Sequence, residues 1–313
     1  MSNLVIAIKG TWFYTEFIML KQGFYTALGT PLDKNGNILA KSLAAHIESQ
    51  IEAGASGLLL MGTMGILGCI RDSQYSGIVK IAVETVQGRV PLMVGAADNS
   101  IARIRDRLDV LKDFDVSAVV TAPYYFSLTR QTAMNCLKSA ASSAKIPVYL
   151  YDHPFTARYK LQYDDVLELA RLPNIKGIKT GDPILIKSLL DSAEIKKDFV
   201  PILSNSDLFV MGWTYGVRHI LDGIFACFPK TVMAAGTAWA SGDIENIKFH
   251  LNRMMAARDK MIAGGIWPMF SKAMNLLGFP GNFAPDYEPE LDKKYSQLMK
   301  DILVDLGELN QVC

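Results

Sequence analysis

A closed (β/α)8 barrel of the α/β class, followed by a C-terminal helical extension, is predicted by three features of the sequence. Short apolar, β-rich runs alternate with longer amphipathic runs along most of the chain. Eight such pairs follow one another, which is the number that closes this barrel. The short runs are apolar almost throughout, as expected of parallel strands covered on both faces. An open doubly wound sheet is the rival. No Gly-x-Gly-x-x-Gly follows the first run, and Gly62, Gly65 and Gly68 are spaced too loosely for that fingerprint.

Taken in order, the strand candidates are residues 24–28, 57–61, 90–94, 118–121, 148–151, 175–179, 200–203 and 221–227. The helical patterns between and after them are 39–53, 74–86, 101–114, 130–143, 163–170, 183–192, 207–215 and 229–240. Leu43, Ile47 and Ile51 fall at helical spacing, and Pro183 and Pro229 suit the first turn of a helix. Three more helical patterns follow, at 244–262, 266–277 and 289–306, the last two separated by a Pro- and Gly-rich loop. Ile244, Ile247, Leu251 and Met255 share one face of the first. The expected organisation is an N-terminal extension (1–22), the barrel (23–242) and a C-terminal helical region (243–313). The first twenty residues lack the basic start and unbroken apolar run of a signal peptide or a membrane span, and Met19 is a conceivable alternative start.

Composition narrows the function classes. Half of the 313 residues are apolar, ample for one large core, and the net charge of +1 predicts neither a nucleic-acid groove nor a membrane patch. Cys69, Cys136, Cys227 and Cys313 have no paired spacing, so a disulfide framework or zinc site is not expected and a reducing cytoplasm fits. His46, His153, His219 and His250 are equally scattered. No metal is expected.

In this barrel, reactive groups gather at the C-terminal ends of the strands. Lys179 ends the sixth strand candidate. An amine in a dry, apolar setting loses its preference for the charged form and can attack a ketone to give a Schiff base. A surface lysine with a packed stem is the plainer alternative. Tyr151 ends the neighbouring fifth strand and could move protons, or could simply fill the barrel. Tyrosine ionises only near pH 10, so it needs a hydroxyl chain, for which Thr63 and Tyr125 are candidates. The glycine-flanked turn Gly62-Thr63-Met64-Gly65 could hold a carboxylate on backbone N–H groups, or be only a tight turn. His153 reads more readily as a solvated loop residue than as catalytic, and Asp207 as the start of the seventh helix.

At these residues the chain resembles the dihydrodipicolinate synthase / N-acetylneuraminate lyase family, the pyruvate-dependent class I lyases. The resemblance runs from about Gly23 to the C-terminus. It rests on an ordered set of motifs: Thr26-Ala27-Leu28-Gly29-Thr30-Pro31-Leu32-Asp33, Gly62-Thr63-Met64-Gly65, Pro123-Tyr124-Tyr125, Tyr151-Asp152-His153-Pro154 and Gly177-Ile178-Lys179. Each is weak alone, and the set is specific.

The resemblance implies a barrel with C-terminal helices and a homo-oligomer, dimer or tetramer. It implies that Lys179 forms the Schiff base with a 2-oxo acid, that Tyr151 is the general acid/base, and that Thr63 couples Tyr151 to Tyr125, which many members lend across a dimer interface. The Gly62–Gly65 turn would bind the carboxylate, and Phe225 would lie near the bound ketone's methyl group. No organic cofactor is implied.

Two departures bear on the substrate. The family turn usually reads Gly-Ser/Thr-Thr-Gly-Glu, whereas Met64 and Ile66 stand here. The synthase branch places an arginine where Thr156 falls, with Arg158 two residues off register. The expectation is therefore a class I lyase or aldolase acting on pyruvate or a 2-keto-3-deoxy acid and an aldehyde, but not a true dihydrodipicolinate synthase. A 2-keto-3-deoxy sugar acid dehydratase and a non-catalytic binding protein on the same barrel are the alternatives. Met64, Phe126, His153, Phe155, Phe225 and the turn at 204–207 are expected to shape an aldehyde pocket suited to a short or partly apolar partner.

Overall fold

The computed structural model of the protein describes residues 20–126 and 129–310. The expected N-terminal extension therefore lies, but for its last three residues, outside the described residues. Eight parallel strands close a barrel in sequence order: β1 (Gly23–Ala27), β2 (Gly57–Leu60), β3 (Leu92–Gly95), β4 (Ala118–Thr121), β5 (Val148–Asp152), β6 (Ile175–Thr180), β7 (Val200–Leu203) and β8 (His219–Asp222). All eight are buried almost throughout, which is why their sequences run apolar without alternation. No helix of the described residues is long and apolar enough to cross a membrane.

Side chains on one side of each strand fill the barrel in layers. Tyr25 and Tyr149 make a lower layer, and glycines opposite them supply the room. A Cβ on Gly57 would stand 2.1 Å from the Tyr25 ring, and one on Gly177 2.3 Å from the Tyr149 ring and 2.2 Å from the Val200 carbonyl oxygen. Tyr149 pairs with Gly177 across β5 and β6, and two residues on Tyr151 pairs with Lys179. That pairing depends on a bulge. Val148 pairs with Ile175, so Lys176 is the extra residue, and its side chain leaves the core to meet Asp198 at 2.5 Å.

The eighth strand differs from expectation. It runs over His219–Asp222 and stops there, because the Asp222 carboxylate accepts the Ile224 N–H at 3.1 Å and turns the chain into a 3-10 turn, Ile224–Cys227. The seventh helix also differs. A 3-10 turn over Ser206–Leu208 precedes the helix Phe209–Thr214, and Asp207 forms an ion pair with Arg258 at 2.6 Å instead of capping. The short helix Pro154–Ala157 was not expected, being a single turn too brief to show a period.

After the last barrel helix (Pro229–Ser241) come helices Ile244–Ala263, Ile266–Leu276 and Lys293–Asp305. Asp292 caps the last through the Lys294 N–H at 2.8 Å, which is why it starts later than residue 289. These helices share a core with Phe24, Phe209, Phe225 and Phe228 on the helix side of the sheet. Buried Glu308 ties the end of the chain to the barrel, accepting the Lys230 and Thr231 N–H groups and the Thr231 hydroxyl.

Candidate active site

The upper layer of the barrel interior holds Lys179, only 7% exposed. Its ammonium has no carboxylate in direct contact among the described residues, so burial dominates and brings its pKa down to about 8. The charge of Asp222 opposes that fall. Asp222 is held in turn, accepting the Ser206 hydroxyl at 2.7 Å. Lys179 is thus an amine with a substantial neutral fraction near physiological pH.

Its Nζ stands 4.3 Å from the centroid of the Tyr151 ring. Burial raises the Tyr151 phenol to about 12, while a hydrogen bond with the Thr63 hydroxyl, 3.1 Å away, pulls the other way. Burial raises the Tyr124 hydroxyl well above the usual range, and the nearby Thr63 side chain pulls the other way. Within one chain the hydroxyl bonded to Tyr151 is that of Thr63, with Tyr124 next to it. Tyr125, expected in that place, points outward at 63% exposure in a left-handed conformation (φ 56°). A bulky residue held there costs roughly 1–2 kcal/mol.

The turn after β2 brings Gly62, Thr63 and Met64 to the same rim. The N–H groups of Thr63 and Met64 have no hydrogen-bond partner among the described residues. Gly65 is required: a Cβ there would sit 2.9 Å from both the Leu28 carbonyl oxygen and the Met61 Cα. The Met64 side chain lies over Gly223, whose Cβ would come within 2.7 Å of it.

Phe225 is not part of this cluster. With β8 ending at Asp222, its ring packs 5.7 Å from Phe24, which faces Gly236 of helix Pro229–Ser241. The inward-facing apolar residues near Lys179 are Ile202, its register partner on β7, and Leu221 of β8. His153, by contrast, belongs to the site. It is half-buried, its ring stacks on Tyr151 (centroids 5.1 Å apart, planes 18° apart), and burial with the Lys179 charge lowers it to about 4. Its place two residues beyond Tyr151, hence on the same side, was the signal in the sequence. Asp222 and Tyr124 carried no comparable signal, since their roles depend on the end of β8 and the turn of the β4 loop.

Beside the lysine, Asp152 is sealed below the rim. It accepts the Thr180 hydroxyl at 2.6 Å, the Leu161 N–H at 3.0 Å and Lys160 Nζ at 2.7 Å. This locks β5 to β6 immediately past the Tyr151–Lys179 pair.

The family model of the dihydrodipicolinate synthetase family matches residues 20–303. The chain belongs to that family. Among its relatives, the 4-hydroxy-tetrahydrodipicolinate synthase of Hyphomonas neptunium is 30% identical over 230 residues, covering 72% of this chain and 78% of the relative. That of an Exiguobacterium species is 27% identical over 244 residues, covering 77% and 83%. The crystal structure of a prophage protein of the dihydrodipicolinic acid synthase family from E. coli K12, in complex with pyruvate, superposes with a TM-score of 0.82. It is 20% identical and covers 92% of this chain and 99% of that one. Family membership makes the protein an enzyme, a class I Schiff-base lyase of the dihydrodipicolinate synthase family.

Proposed function

We propose that the protein is a class I aldolase that joins pyruvate to an aldehyde, or cleaves the corresponding 2-keto-3-deoxy acid, through a Schiff base on Lys179. The observation that carries this is a buried lysine, titrating near 8, 4.3 Å from the ring of a tyrosine that is tied to a hydroxyl relay. The neutral amine attacks the ketone carbon, and water leaves to give an iminium. That cation draws electrons from the adjacent C–C bond, which breaks or forms by way of the enamine. Tyr151 transfers the proton to or from the aldehyde-side oxygen, with Thr63 and Tyr124 accepting and returning it. The free N–H groups of Thr63 and Met64 hold the 2-oxo acid carboxylate.

A true dihydrodipicolinate synthase fits less well. Thr156 stands where a dicarboxylic aldehyde would need a cation, and Arg158 is exposed in a left-handed turn at φ 61°. The exposed, left-handed Tyr125 suits a homo-oligomer in which it reaches a partner's site, as resemblance to the family suggests. A cytoplasmic location completes the reading.

The test is to incubate the protein with pyruvate, reduce with borohydride and take peptide masses. The reading expects a pyruvate-derived adduct on Lys179, absent from Lys179→Ala. A folded sample that yields no adduct with pyruvate or longer 2-oxo acids would sink it. Product analysis separates the dehydratase alternative, because cleavage gives pyruvate plus an aldehyde while dehydration keeps the carbon chain whole.

A further inference from the structure

We infer that Thr30 is a positioning residue for the 2-oxo acid: its hydroxyl holds the Gly62–Gly65 turn in the shape that receives the carboxylate, and so sets the preference for an acid over a neutral ketone. This rests on the reading of Lys179 as the Schiff-base lysine and of that turn as the carboxylate site. The turn is strained at both ends. Met61 before it and Ile66 after it are left-handed, at φ 51° and 49°. A β-branched residue in that region is an outlier, kept there only when its surroundings over-determine it. The Ile66 N–H donates to the Thr63 carbonyl at 3.0 Å, which closes the turn. Thr30, fully buried, donates its hydroxyl to the Gly65 carbonyl at 2.8 Å. The peptide between Gly65 and Ile66 is thus fixed at both its N–H and its carbonyl. Its rotation would relieve Ile66, and would also swing the free N–H groups of Thr63 and Met64 off their aim.

Thr30 can act this way because its own loop is rigid. The Gly29 N–H donates to His46 Nε2 at 3.3 Å, and Leu32 exchanges two backbone hydrogen bonds with Asn282, each 2.8 Å. Phe270 and Phe283 close on Gly29 so tightly that a Cβ there would stand 2.6 and 2.7 Å from their rings. The C-terminal helical region thereby braces the β1 loop, and the β1 loop braces the turn. On the other side, a Cβ on Gly95 would stand 1.9 Å from the Met61 carbonyl oxygen, and the Tyr75 hydroxyl holds Gly95 by donating to its carbonyl at 2.8 Å. That side fixes Met61, where the turn begins. Among the described residues, Thr30 is the side chain that hydrogen bonds the turn where it ends.

The experiment is borohydride trapping with pyruvate and with pyruvamide, a neutral ketone of nearly the same size, read by mass as the ratio of adduct formation at low ketone concentration. Thr30→Val keeps the shape and removes the donor. It should lower the pyruvate-to-pyruvamide ratio about tenfold below wild type, the size of one net hydrogen bond, while pyruvamide trapping changes little. Thr30→Ser should keep the wild-type ratio. Thr30→Ala, a second variant without the hydroxyl, should match Thr30→Val, so the outcome does not hang on how valine fits. Each ratio is internal to one sample and independent of how much of it folds. A ratio unchanged in both hydroxyl-free variants, an equal loss with the two ketones, or a Thr30→Ser ratio as low as that of Thr30→Val would each overturn the inference. Absence of any pyruvate adduct on Lys179 in the wild type would overturn the lyase reading beneath it, and the inference with it.

Discussion

Lys179 and Tyr151 face each other across β5 and β6 as register partners, with the lysine Nζ 4.3 Å from the tyrosine ring centroid. The two groups are shifted in opposite senses by the same cause. Burial disfavours the ammonium of one and the phenolate of the other, so both lean toward their neutral forms, the amine at about 8 and the phenol at about 12. A neutral amine is the nucleophile and a neutral phenol is the acid. The site is thus set for attack on a ketone followed by proton donation.

Asp222→Asn should move the chemistry to lower pH. Its carboxylate raises the Lys179 pKa against burial, so removing the charge lets that pKa fall below about 8. The pH profile of borohydride trapping with pyruvate should shift its midpoint downward. An unmoved midpoint would show that the charge at Asp222 does not act on Lys179.

Lys179→Met should stabilise the fold while removing its chemistry. The lysine titrates at about 8 folded against 10.5 ordinarily. Between those values the unfolded chain holds more protons, so wild-type stability climbs as pH rises through that window. Below pH 8 the wild type carries the whole penalty, up to roughly 3 kcal/mol at about 1.4 kcal/mol per pH unit. Urea midpoints should favour the variant at pH 7, and the gap should narrow by pH 10.

Thr63 tests the relay. Its hydroxyl is the side-chain partner of Tyr151, so Thr63→Val should slow deuterium exchange at the methyl group of pyruvate by about 10²-fold, a typical loss for a proton-transfer group. Thr63→Ser keeps the hydroxyl and should stay close to wild type. Equal rates in both variants would exclude the relay.

Gly177→Ala should damage the site from below. The new methyl would collide with the Val200 carbonyl oxygen and the Tyr149 ring, neither of which can move without shifting β7 or the barrel filling. A loss of about 1–3 kcal/mol is expected from overpacking, read as a lower urea midpoint. Tyr149→Leu in the same chain should recover only part, because the backbone collision with Val200 remains.

The barrel was legible because its strands are buried on both faces and its helices are amphipathic, two patterns that burial writes directly into residue order. Helices 130–143 and 163–170 match to the residue for that reason, with Thr129 and Gln162 capping them. Lys179, Tyr151 and Thr63 were legible as strand-end residues, because strand ends of this barrel share one rim. Other features came from contacts between residues distant in sequence, which no local pattern carries. The bulge at Lys176 set the register that puts Lys179 opposite Tyr151 rather than one residue away. A hydrogen bond from the Ile224 N–H to the Asp222 carboxylate ended β8 early and sent Phe225 to the helix side of the sheet. Tyr124, not Tyr125, lies next to Thr63 within the chain, and the His153 ring stacks on Tyr151. The sequence by itself determined which residues reach the rim. Tertiary structure decided which of them face one another, because that depends on register and on where strands stop.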